Sequence, residues 1–182
     1  MRIISGIYGG RKLFPKLPNS VRPTTDSNKE SIFNILTNHI DFEGKTILDL
    51  FAGSGSLGIE SLSRGASNCT FVENDFNVIN SLSESLISLG TIKNKFELIK
   101  KDALSYTKSC KSSFDLIFSD APYNLKVSNQ ILNEIINNNL LNKDGLIMLE
   151  YGINEMVLPQ KSYKTINQKK LGETQFSIFL NC

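Results

Sequence analysis

Short apolar runs and helical stretches alternate through most of this 182-residue sequence. The apolar runs predict strands, and the segments between the first five of them predict helices. The predicted strands are 45–50, 69–73, 95–100, 114–119, 145–150, 162–167 and 175–180, and the predicted helices are 56–64, 75–89, 102–109 and 126–139. Because strand–helix alternation requires right-handed crossovers, we expect an α/β fold with a mostly parallel sheet and helices on both faces.

The last two predicted strands depart from this alternation. Residues 162–167 and 175–180 are joined by a short polar stretch that contains a glycine. That stretch has no room for a crossover helix, so the two strands are expected to form an antiparallel hairpin. The sequence therefore predicts a seven-stranded sheet that ends in an antiparallel C-terminal hairpin, unlike a standard dinucleotide fold.

The N-terminal residues predict an extension outside the alternating region. Residues 2–14 have the pattern of a glycine-interrupted β-hairpin, and residues 15–25 contain three prolines that favour an extended connector. A helix is expected to begin after Thr25, whose hydroxyl suits an N-cap. We therefore divide the chain into a basic hairpin and connector at 1–24 and a main domain at 25–182.

Composition favours a single globular domain in a reducing compartment. Hydrophobic residues make up 40% of the chain, and an apolar run such as 146–149 is far too short to cross a bilayer. The N-terminus lacks the apolar stretch of a secretory signal. Cys69, Cys110 and Cys182 are too widely spaced to predict a disulfide framework or a zinc site, so a cytoplasmic location is expected. The lone histidine, His39, predicts neither a catalytic triad nor a metal site.

A glycine-rich turn follows the first predicted strand. Residues 49–58 have the sequence DLFAGSGSLG, in which Gly53, Gly55 and Gly58 show the G-x-G-x-x-G spacing of dinucleotide sites. These glycines permit a tight turn and a close approach of ligand to backbone. Any cofactor with a nucleoside part makes this demand, so the spacing alone leaves a nicotinamide or flavin cofactor possible.

Three acidic residues follow the first three strands. Asp49 would repel a pyrophosphate and attract the ammonium group of a methionine, although it could also cap the following turn. Glu73 can accept hydrogen bonds from both hydroxyls of a ribose. Asp102 can accept from an adenine amino group, or equally serve as a helix N-cap. Because the carboxyl ends of parallel strands meet at one edge, these residues outline ammonium, ribose and adenine subsites there.

The fourth predicted strand ends in a short polar and aromatic segment, Asp120-Ala121-Pro122-Tyr123. Asp120 and a neighbouring carbonyl can accept hydrogen bonds from a planar NH2 group and draw its lone pair out of conjugation. Pro122 restricts Ala121 to an extended conformation, and the ring of Tyr123 can stack on a base. The segment predicts a site for a flat, amino-bearing ring, with a simple turn as the alternative.

These motifs resemble those of amino-group methyltransferases, in which [D/N]-P-P-[Y/F] follows the fourth strand. A narrower resemblance is to the bacterial 16S ribosomal RNA (guanine-N2)-methyltransferases, the RsmD family. The segments that carry it are MRIISG at 1–6, GRKL at 10–13, RPTTD at 22–26, ESIFNIL at 30–36 and GETQF at 172–176. The similarity therefore covers essentially the whole chain.

The resemblance implies a Rossmann-like class I methyltransferase fold that uses S-adenosyl-L-methionine and no metal. It implies methyl transfer to the exocyclic N2 of a guanine in 16S ribosomal RNA or a small-subunit assembly intermediate, by a monomer. The residues it assigns to the cofactor are Asp49, Phe51, Ala52, Gly53, Gly55, Glu73, Asn74, Asp102 and Ala103. The residues it assigns to the target base are Asp120, Ala121, Pro122 and Tyr123, where Ala121 replaces the first proline of the family motif.

Positive charge at the chain ends suits a phosphate-backbone partner. The net charge is only +2, but residues 1–25 contain five basic and no acidic residues, and residues 160–182 are also basic. The alternative is that these are solvated faces of a lysine-rich protein. The candidate RNA-binding residues are Arg2, Arg11, Lys12, Arg22 and Lys29. At 27–29 the chain has SNK where the family tends to have RVR, so only Lys29 retains a positive charge there.

Three rival functions remain open from the sequence. A DNA adenine-N6 or protein glutamine methyltransferase would act on a similar planar amino group. A nicotinamide-dependent reductase would share the glycine spacing. A binding module that had lost catalysis would be expected to lack Asp49 or Asp120, and both are present.

Overall fold

The computed structural model describes residues 1–15, 18, 25–91, 93–122, 125–158 and 162–182. Its helices are α1 (Asp26–Leu36), α2 (Ser56–Ser63), α3 (Phe76–Ser88), α4 (Ala103–Ser109) and α5 (Ser128–Asn137), with a short 3-10 helix at Lys93–Lys95. Its strands are β1 (Thr46–Leu50), β2 (Asn68–Glu73), β3 (Phe96–Lys100), β4 (Phe114–Asp120), β5 (Leu141–Gly152), β6 (Tyr163–Leu171) and β7 (Thr174–Asn181). Each predicted strand and helix is present.

The seven strands form one sheet in the order β3-β2-β1-β4-β5-β7-β6. Strands β1 to β5 are parallel, and β7 runs antiparallel between β5 and β6. The predicted fold class, with its C-terminal hairpin, is confirmed. In the part of the chain that the structure describes, no helix is long and apolar enough to cross a membrane.

Helices cover the two faces of the sheet in two groups. One face packs against α1, α2 and α3 around Phe33, Leu62 and Phe118, all 3% exposed or less. The other face packs against α4 and α5 around Ile117 and Ile135, both fully buried. This division follows from right-handed crossovers, because the order reverses direction after β3 and the later helices must then lie on the opposite face.

The N-terminal residues form a short hairpin that packs on the first of these faces. Met1 and Leu13 exchange backbone hydrogen bonds of 3.1 and 2.9 Å, and Arg2 lies opposite Lys12 in an antiparallel bridge. Ile3 is fully buried and Leu13 is 6% exposed, and both belong to the same core as α1, α2 and α3. The hairpin is thus packed onto the main domain through its apolar side.

The carboxylate of Glu60, in the middle of α2, holds this hairpin in place. It is fully buried and accepts hydrogen bonds from the N–H groups of Ile4 (2.8 Å) and Ser5 (3.0 Å) and from Nε of Arg64 (2.9 Å). The ammonium of Lys29 lies 3.8 Å from the same carboxylate. A buried carboxylate is tolerated here because donors from three different segments surround it.

Lys29 is consequently not the surface cation that the sequence predicted. It is 1% exposed, and its ammonium donates to the carbonyl of Arg2 as well as facing Glu60. Burial lowers the pKa of Lys29, against the opposing influence of Glu60. Its assignment as an RNA contact is corrected, because the ammonium group lies inside the protein and links α1 to the hairpin.

Replacing Glu60 should destabilise the fold far more than replacing an exposed acid. Glu60→Ala leaves two backbone N–H groups and two cations without their acceptor, at a cost of about 3 to 5 kcal/mol in the free energy of unfolding. Urea unfolding should show this loss. Glu84→Ala on the exposed side of α3 should change the free energy by less than about 0.5 kcal/mol. Equal effects from the two variants would contradict the role given to Glu60.

Candidate active site

The candidate site lies at the carboxyl edge of the sheet, where β1 and β4 are neighbours. The chain leaves β1 toward β2 on one side, while β4 and β5 follow on the other side. Such a reversal of strand order opens a crevice outside the carboxyl ends of the strands. The glycine turn and the segment at 120–122 both begin at this point, so the structure brings the two predicted motifs to one place.

The turn after β1 is built from left-handed backbone. Phe51 has a φ of 58°, and Gly53 and Gly55 have φ values of 52° and 73°. A non-glycine residue rarely adopts this conformation, so Phe51 marks local strain at the crevice. Ala52 donates a 3.0 Å hydrogen bond to the carbonyl of Val72, which fixes the turn against β2. Phe51 is half-buried and Ala52 is buried.

The close packing of α2 against β2 requires a glycine at position 58. A Cβ atom at this position would collide with the ring of Phe71 and would lie 2.6 Å from the sulfur of Cys69, which are both on β2. The absent side chain lets the first turn of α2 approach the sheet. Because α2 lies this close, the backbone N–H of Gly58 reaches the end of β1.

Asp49 is the carboxylate that receives this N–H group. It is 2% exposed, and its Oδ2 accepts a 2.9 Å hydrogen bond from Gly58. Burial raises the pKa of Asp49 to about 8, helped by the nearby Asp120 and Glu73 and opposed by the hydrogen bond from Gly58. A cationic ligand beside Asp49 would lower this pKa and favour the ionised carboxylate, as is expected of a subsite for an ammonium group.

Ser56, the first residue of α2, was not among the predicted site residues. It is 6% exposed, and its Oγ is buried without a hydrogen-bond partner among the residues that the structure describes. Buried hydroxyl groups normally have a partner, and this one stands at a helix N-terminus directly after Gly55. A serine that follows a glycine turn and starts a helix is the signal by which the sequence could have identified it.

Glu73 lies where the ribose subsite was predicted, but its carboxylate is already engaged. Its Oε2 accepts from the N–H of Gly53 at 3.0 Å, and its Oε1 accepts from the N–H groups of Asn74 (2.8 Å) and Asp75 (2.9 Å). Each carboxylate oxygen has two acceptor positions, so Oε2 retains one while Oε1 is filled. Glu73 therefore joins the tip of β2 to the glycine turn and can accept one further hydroxyl group.

An exposed aromatic ring stands beside Glu73. Phe76 begins α3 and is 58% exposed, and the ammonium of Lys100 lies 5.3 Å from the centre of its ring. Asn74 is also exposed at this edge. Large exposed apolar side chains beside a polar crevice often contact a ligand. Phe76 was not among the predicted site residues, although the sequence places it shortly after the acidic end of β2.

Asp102 is the N-cap of α4. Its Oδ1 accepts a 2.9 Å hydrogen bond from the N–H of Ser105, and the side chain is exposed. The capping alternative that the sequence left open is therefore present in the structure. Ala103, the next residue, is 4% exposed.

Asp120 ends β4 at the same edge as Asp49. It is half-buried, while Ser119 before it and Ala121 after it are 1% and 6% exposed. Pro122 is exposed, and its carbonyl accepts a 2.9 Å hydrogen bond from the N–H of Leu125. The predicted aromatic clamp, Tyr123, lies outside the described residues.

Glu150 is a further carboxylate at this edge, and it was not among the predicted site residues. It lies opposite Asp120 in the parallel pairing of β5 with β4, so their side chains share a face of the sheet. Its Oε1 accepts a 2.8 Å hydrogen bond from the hydroxyl of Thr174. The signal was an acidic residue at the end of an apolar strand, the same signal that identified Asp49 and Glu73.

The predicted RNA-binding residues occupy different environments. Arg2 and Lys12 are exposed on the hairpin. Arg11 donates to the carbonyls of Leu89 (3.0 Å) and Ser88 (3.2 Å) and therefore caps the end of α3. Arg22 lies outside the described residues. Within the described part of the chain, no group of three or more His, Cys, Asp or Glu side chains could hold a metal ion.

Comparison with known proteins identifies similar chains that are matched over most of their length. A sequence profile of the family described as "Conserved hypothetical protein 95" matches residues 1–180. Ribosomal RNA small subunit methyltransferase D of Haemophilus influenzae is 33% identical over 183 residues, which cover 100% of this chain and 94% of that protein. The YlbH protein of Bacillus subtilis is 40% identical over 163 residues, which cover 88% of this chain and 86% of that protein. Among solved structures, yhhF of Escherichia coli superposes with a TM-score of 0.87 at 28% identity, covering 100% of this chain and 97% of that one.

The raised pKa of Asp49 predicts a specific dependence of stability on pH. Between its ordinary value of 3.8 and about 8, the folded protein binds a proton that the unfolded chain releases. This contribution to stability is complete below the lower value, declines as pH rises, and is lost above the upper one. Thermal unfolding should show the decline, and Asp49→Asn should flatten it because an amide does not ionise. Parallel pH profiles for the two proteins would contradict this prediction.

Proposed function

Because the chain belongs to the family described as "Conserved hypothetical protein 95", that of the small-subunit ribosomal RNA methyltransferases D, we propose a specific reaction for it. The reaction is transfer of a methyl group from S-adenosyl-L-methionine to the exocyclic N2 of a guanine in 16S ribosomal RNA. The observation that carries this proposal is the meeting of the buried Asp49 and the end of β4 at one crevice. A ribosomal RNA substrate places the reaction in the cytoplasm.

The residues around the glycine turn fit the cofactor. Asp49 would bind the methionine ammonium, and this contact would offset the cost of its buried charge. The orphaned hydroxyl of Ser56 would donate to the methionine carboxylate, which also suits the positive end of α2. Glu73 would accept a ribose hydroxyl through Oε2, and Asp102 would accept from the adenine amino group through Oδ2. When bound, S-adenosyl-L-methionine supplies an electrophilic methyl group on a positively charged sulfur.

Asp120 would position the target amine. Its carboxylate and the carbonyl at Ala121 or Pro122 would accept the two N–H groups of N2 and aim the nitrogen lone pair into the crevice. Positive charge that develops on the nitrogen would be stabilised by Asp120. Ala121 is 6% exposed, so the loop keeps a packed backbone where the family motif has proline. Tyr123 is proposed to stack on the base, although it lies outside the described residues.

The guanine must leave its stack to enter this crevice, as bases in structured RNA generally must. The surrounding backbone then needs cationic partners outside the crevice. Arg2 and Lys12 are proposed to provide them, since both are exposed on the hairpin. Arg11 binds the end of α3 and contributes mainly by fixing the hairpin.

Two measurements test the reaction. Mass mapping of 16S ribosomal RNA from cells with and without the gene should show one guanine that loses a methyl group in its absence. In vitro, RNA with inosine at that position should not be methylated, because inosine lacks the N2 amine. Methylation of DNA adenine or of protein glutamine by the purified enzyme, with no RNA product, would reject guanine as the substrate.

Removing the carboxylate of Asp120 should separate catalysis from cofactor binding. Asp120→Ala should reduce turnover by at least about 100-fold, since electrostatic contacts to the reacting group contribute on this scale. Titration calorimetry with S-adenosylhomocysteine should give a dissociation constant within about threefold of that of the unaltered enzyme. Glu84→Ala serves as the control for loss of an acidic side chain remote from the crevice. An active Asp120→Ala enzyme would refute the role of this residue.

Cofactor binding should also release a proton from Asp49. The pKa of this carboxyl is about 8 in the free protein, and an ammonium partner must lower it. Calorimetric titration with S-adenosylhomocysteine at pH 7 should therefore give heats that depend on the ionisation enthalpy of the buffer. Asp49→Asn should weaken binding and abolish the buffer dependence. Buffer-independent heats for the unaltered protein would show that Asp49 is not the ammonium partner.

A further inference from the structure

Phe14 is the most exposed of the large hydrophobic residues of the hairpin. Its side chain is 85% exposed, whereas the neighbouring Leu13 is 6% exposed and lies in the core. A phenylalanine gains nothing for folding when it remains in water. The ring is therefore available for a contact with another molecule.

Two basic residues share the outer face of the hairpin with Phe14. Arg2 and Lys12 form the antiparallel bridge between the hydrogen-bonded pairs on either side, so their side chains point the same way. Lys12 and Phe14 flank the buried Leu13, and successive residues of extended backbone alternate between faces. The outer face of the hairpin therefore carries Arg2, Lys12 and Phe14 together. These three residues are called the outer face.

The hairpin is oriented so that its open end, where Arg2 lies opposite Lys12, is near the carboxyl edge of the sheet, which also carries the candidate active site. Its tip is held at the amino edge of the sheet, because the N–H of Ile7 donates to the carbonyl of Ser63 (2.7 Å) at the end of α2. Its open end is held near the carboxyl edge, because the carbonyl of Arg2 accepts from Lys29 near the start of α1. The helix α1 precedes β1, so it begins at the carboxyl edge and ends at the amino edge.

The chemistry of the outer face matches a nucleotide that is not base-paired. Arg2 and Lys12 suit phosphate groups, and an exposed aromatic ring suits the face of an unstacked base. No acidic residue occurs in the sequence from 1 to 25, and the nearby carboxylate of Glu60 is buried with its own cations. A protein partner with an apolar patch would bury the ring equally well, but it would also remove water from two cations without giving them a partner, which is unfavourable.

We propose that the outer face binds an unpaired nucleotide of the RNA substrate, with its base stacked on Phe14 and its flanking phosphates on Arg2 and Lys12. This inference rests on the proposed function, because it concerns the RNA that the crevice acts upon. It adds a second point of base recognition outside the crevice. A substrate with an unpaired nucleotide near its target guanine is accordingly preferred over a continuous duplex.

Fluorescence anisotropy with labelled RNA tests this inference. Phe14→Ala should weaken binding of a short single-stranded oligoribonucleotide about tenfold, the scale of one base–aromatic stack. Binding of the same strand annealed to its complement should not change. Phe14→Tyr should bind as the unaltered protein does, and Phe14→Leu should resemble Phe14→Ala because it retains apolar area without a ring. The double variant of Arg2→Ala and Lys12→Ala should make the slope of log affinity against log salt about 1.4 units shallower.

Ile87→Ala is the matched control, since Ile87 is 61% exposed on α3, and it should bind both RNAs normally. All variants should bind S-adenosylhomocysteine as the unaltered protein does. Wild-type binding by Phe14→Ala or by Phe14→Leu would overturn the stacking contact. Normal RNA binding by Phe14→Ala with weaker binding to small ribosomal subunits would assign the ring to a protein partner and also overturn it. If the unaltered protein neither binds nor methylates RNA, the proposed function fails as well.

Discussion

The turn from β1 into α2 depends on one buried hydrogen bond, between the N–H of Gly58 and the carboxylate of Asp49. The bond can form only because Gly58 lacks a side chain and lets α2 lie against Phe71. The carboxylate is buried at a cost that the free protein relieves by holding a proton, which is why its pKa rises to about 8. The free site is thus less stable than the surrounding core, and a cationic ligand would stabilise it. Phe51 in the same turn also has an unfavourable conformation, with a positive φ. Strain of this kind is typical of functional sites, where it is kept although it does not favour folding.

Helix α2 joins this turn to the hairpin. Its first residues form the candidate cofactor site, and its fifth residue, Glu60, accepts hydrogen bonds from the backbone of Ile4 and Ser5. A carboxylate with four donors around it tolerates little displacement, so the hairpin keeps a set position relative to the turn. Helix α2 therefore fixes the hairpin, which carries the proposed RNA contacts, relative to the turn, which carries the proposed cofactor contacts. This arrangement explains why the chain has a buried charge cluster at a position where an apolar contact would be simpler.

Local patterns were enough to predict the order and type of the elements, and long-range contacts account for what was missed. The predicted start of α5 at 126 is two residues early, because the N–H and hydroxyl of Ser128 are bound by Glu155, 27 residues away in the chain. Lys29 was predicted at the surface because nothing in its neighbourhood shows that Glu60 will lie beside it. The acidic strand ends were identified because burial and charge alternate within a few residues. Ser56 and Glu150 carried the same kinds of signal and were overlooked. Their roles became visible only once the strand order placed them at the edge.

The acidic crevice also explains why the cations lie elsewhere. Asp120 and Glu150 lie side by side at one edge of the sheet, and their negative charge would repel the phosphates on both sides of a target base. A base itself is uncharged, so it can enter while its backbone stays outside. Phosphate contacts are then possible only beyond the reach of this field, and screening at physiological salt sets that reach at about 8 Å. The exposed Arg2 and Lys12 lie on the hairpin, outside this group of carboxylates. The sequence has the same separation of charge between its basic start and its acidic middle, and this separation suits the proposed methylation of a neutral base within a polyanionic RNA.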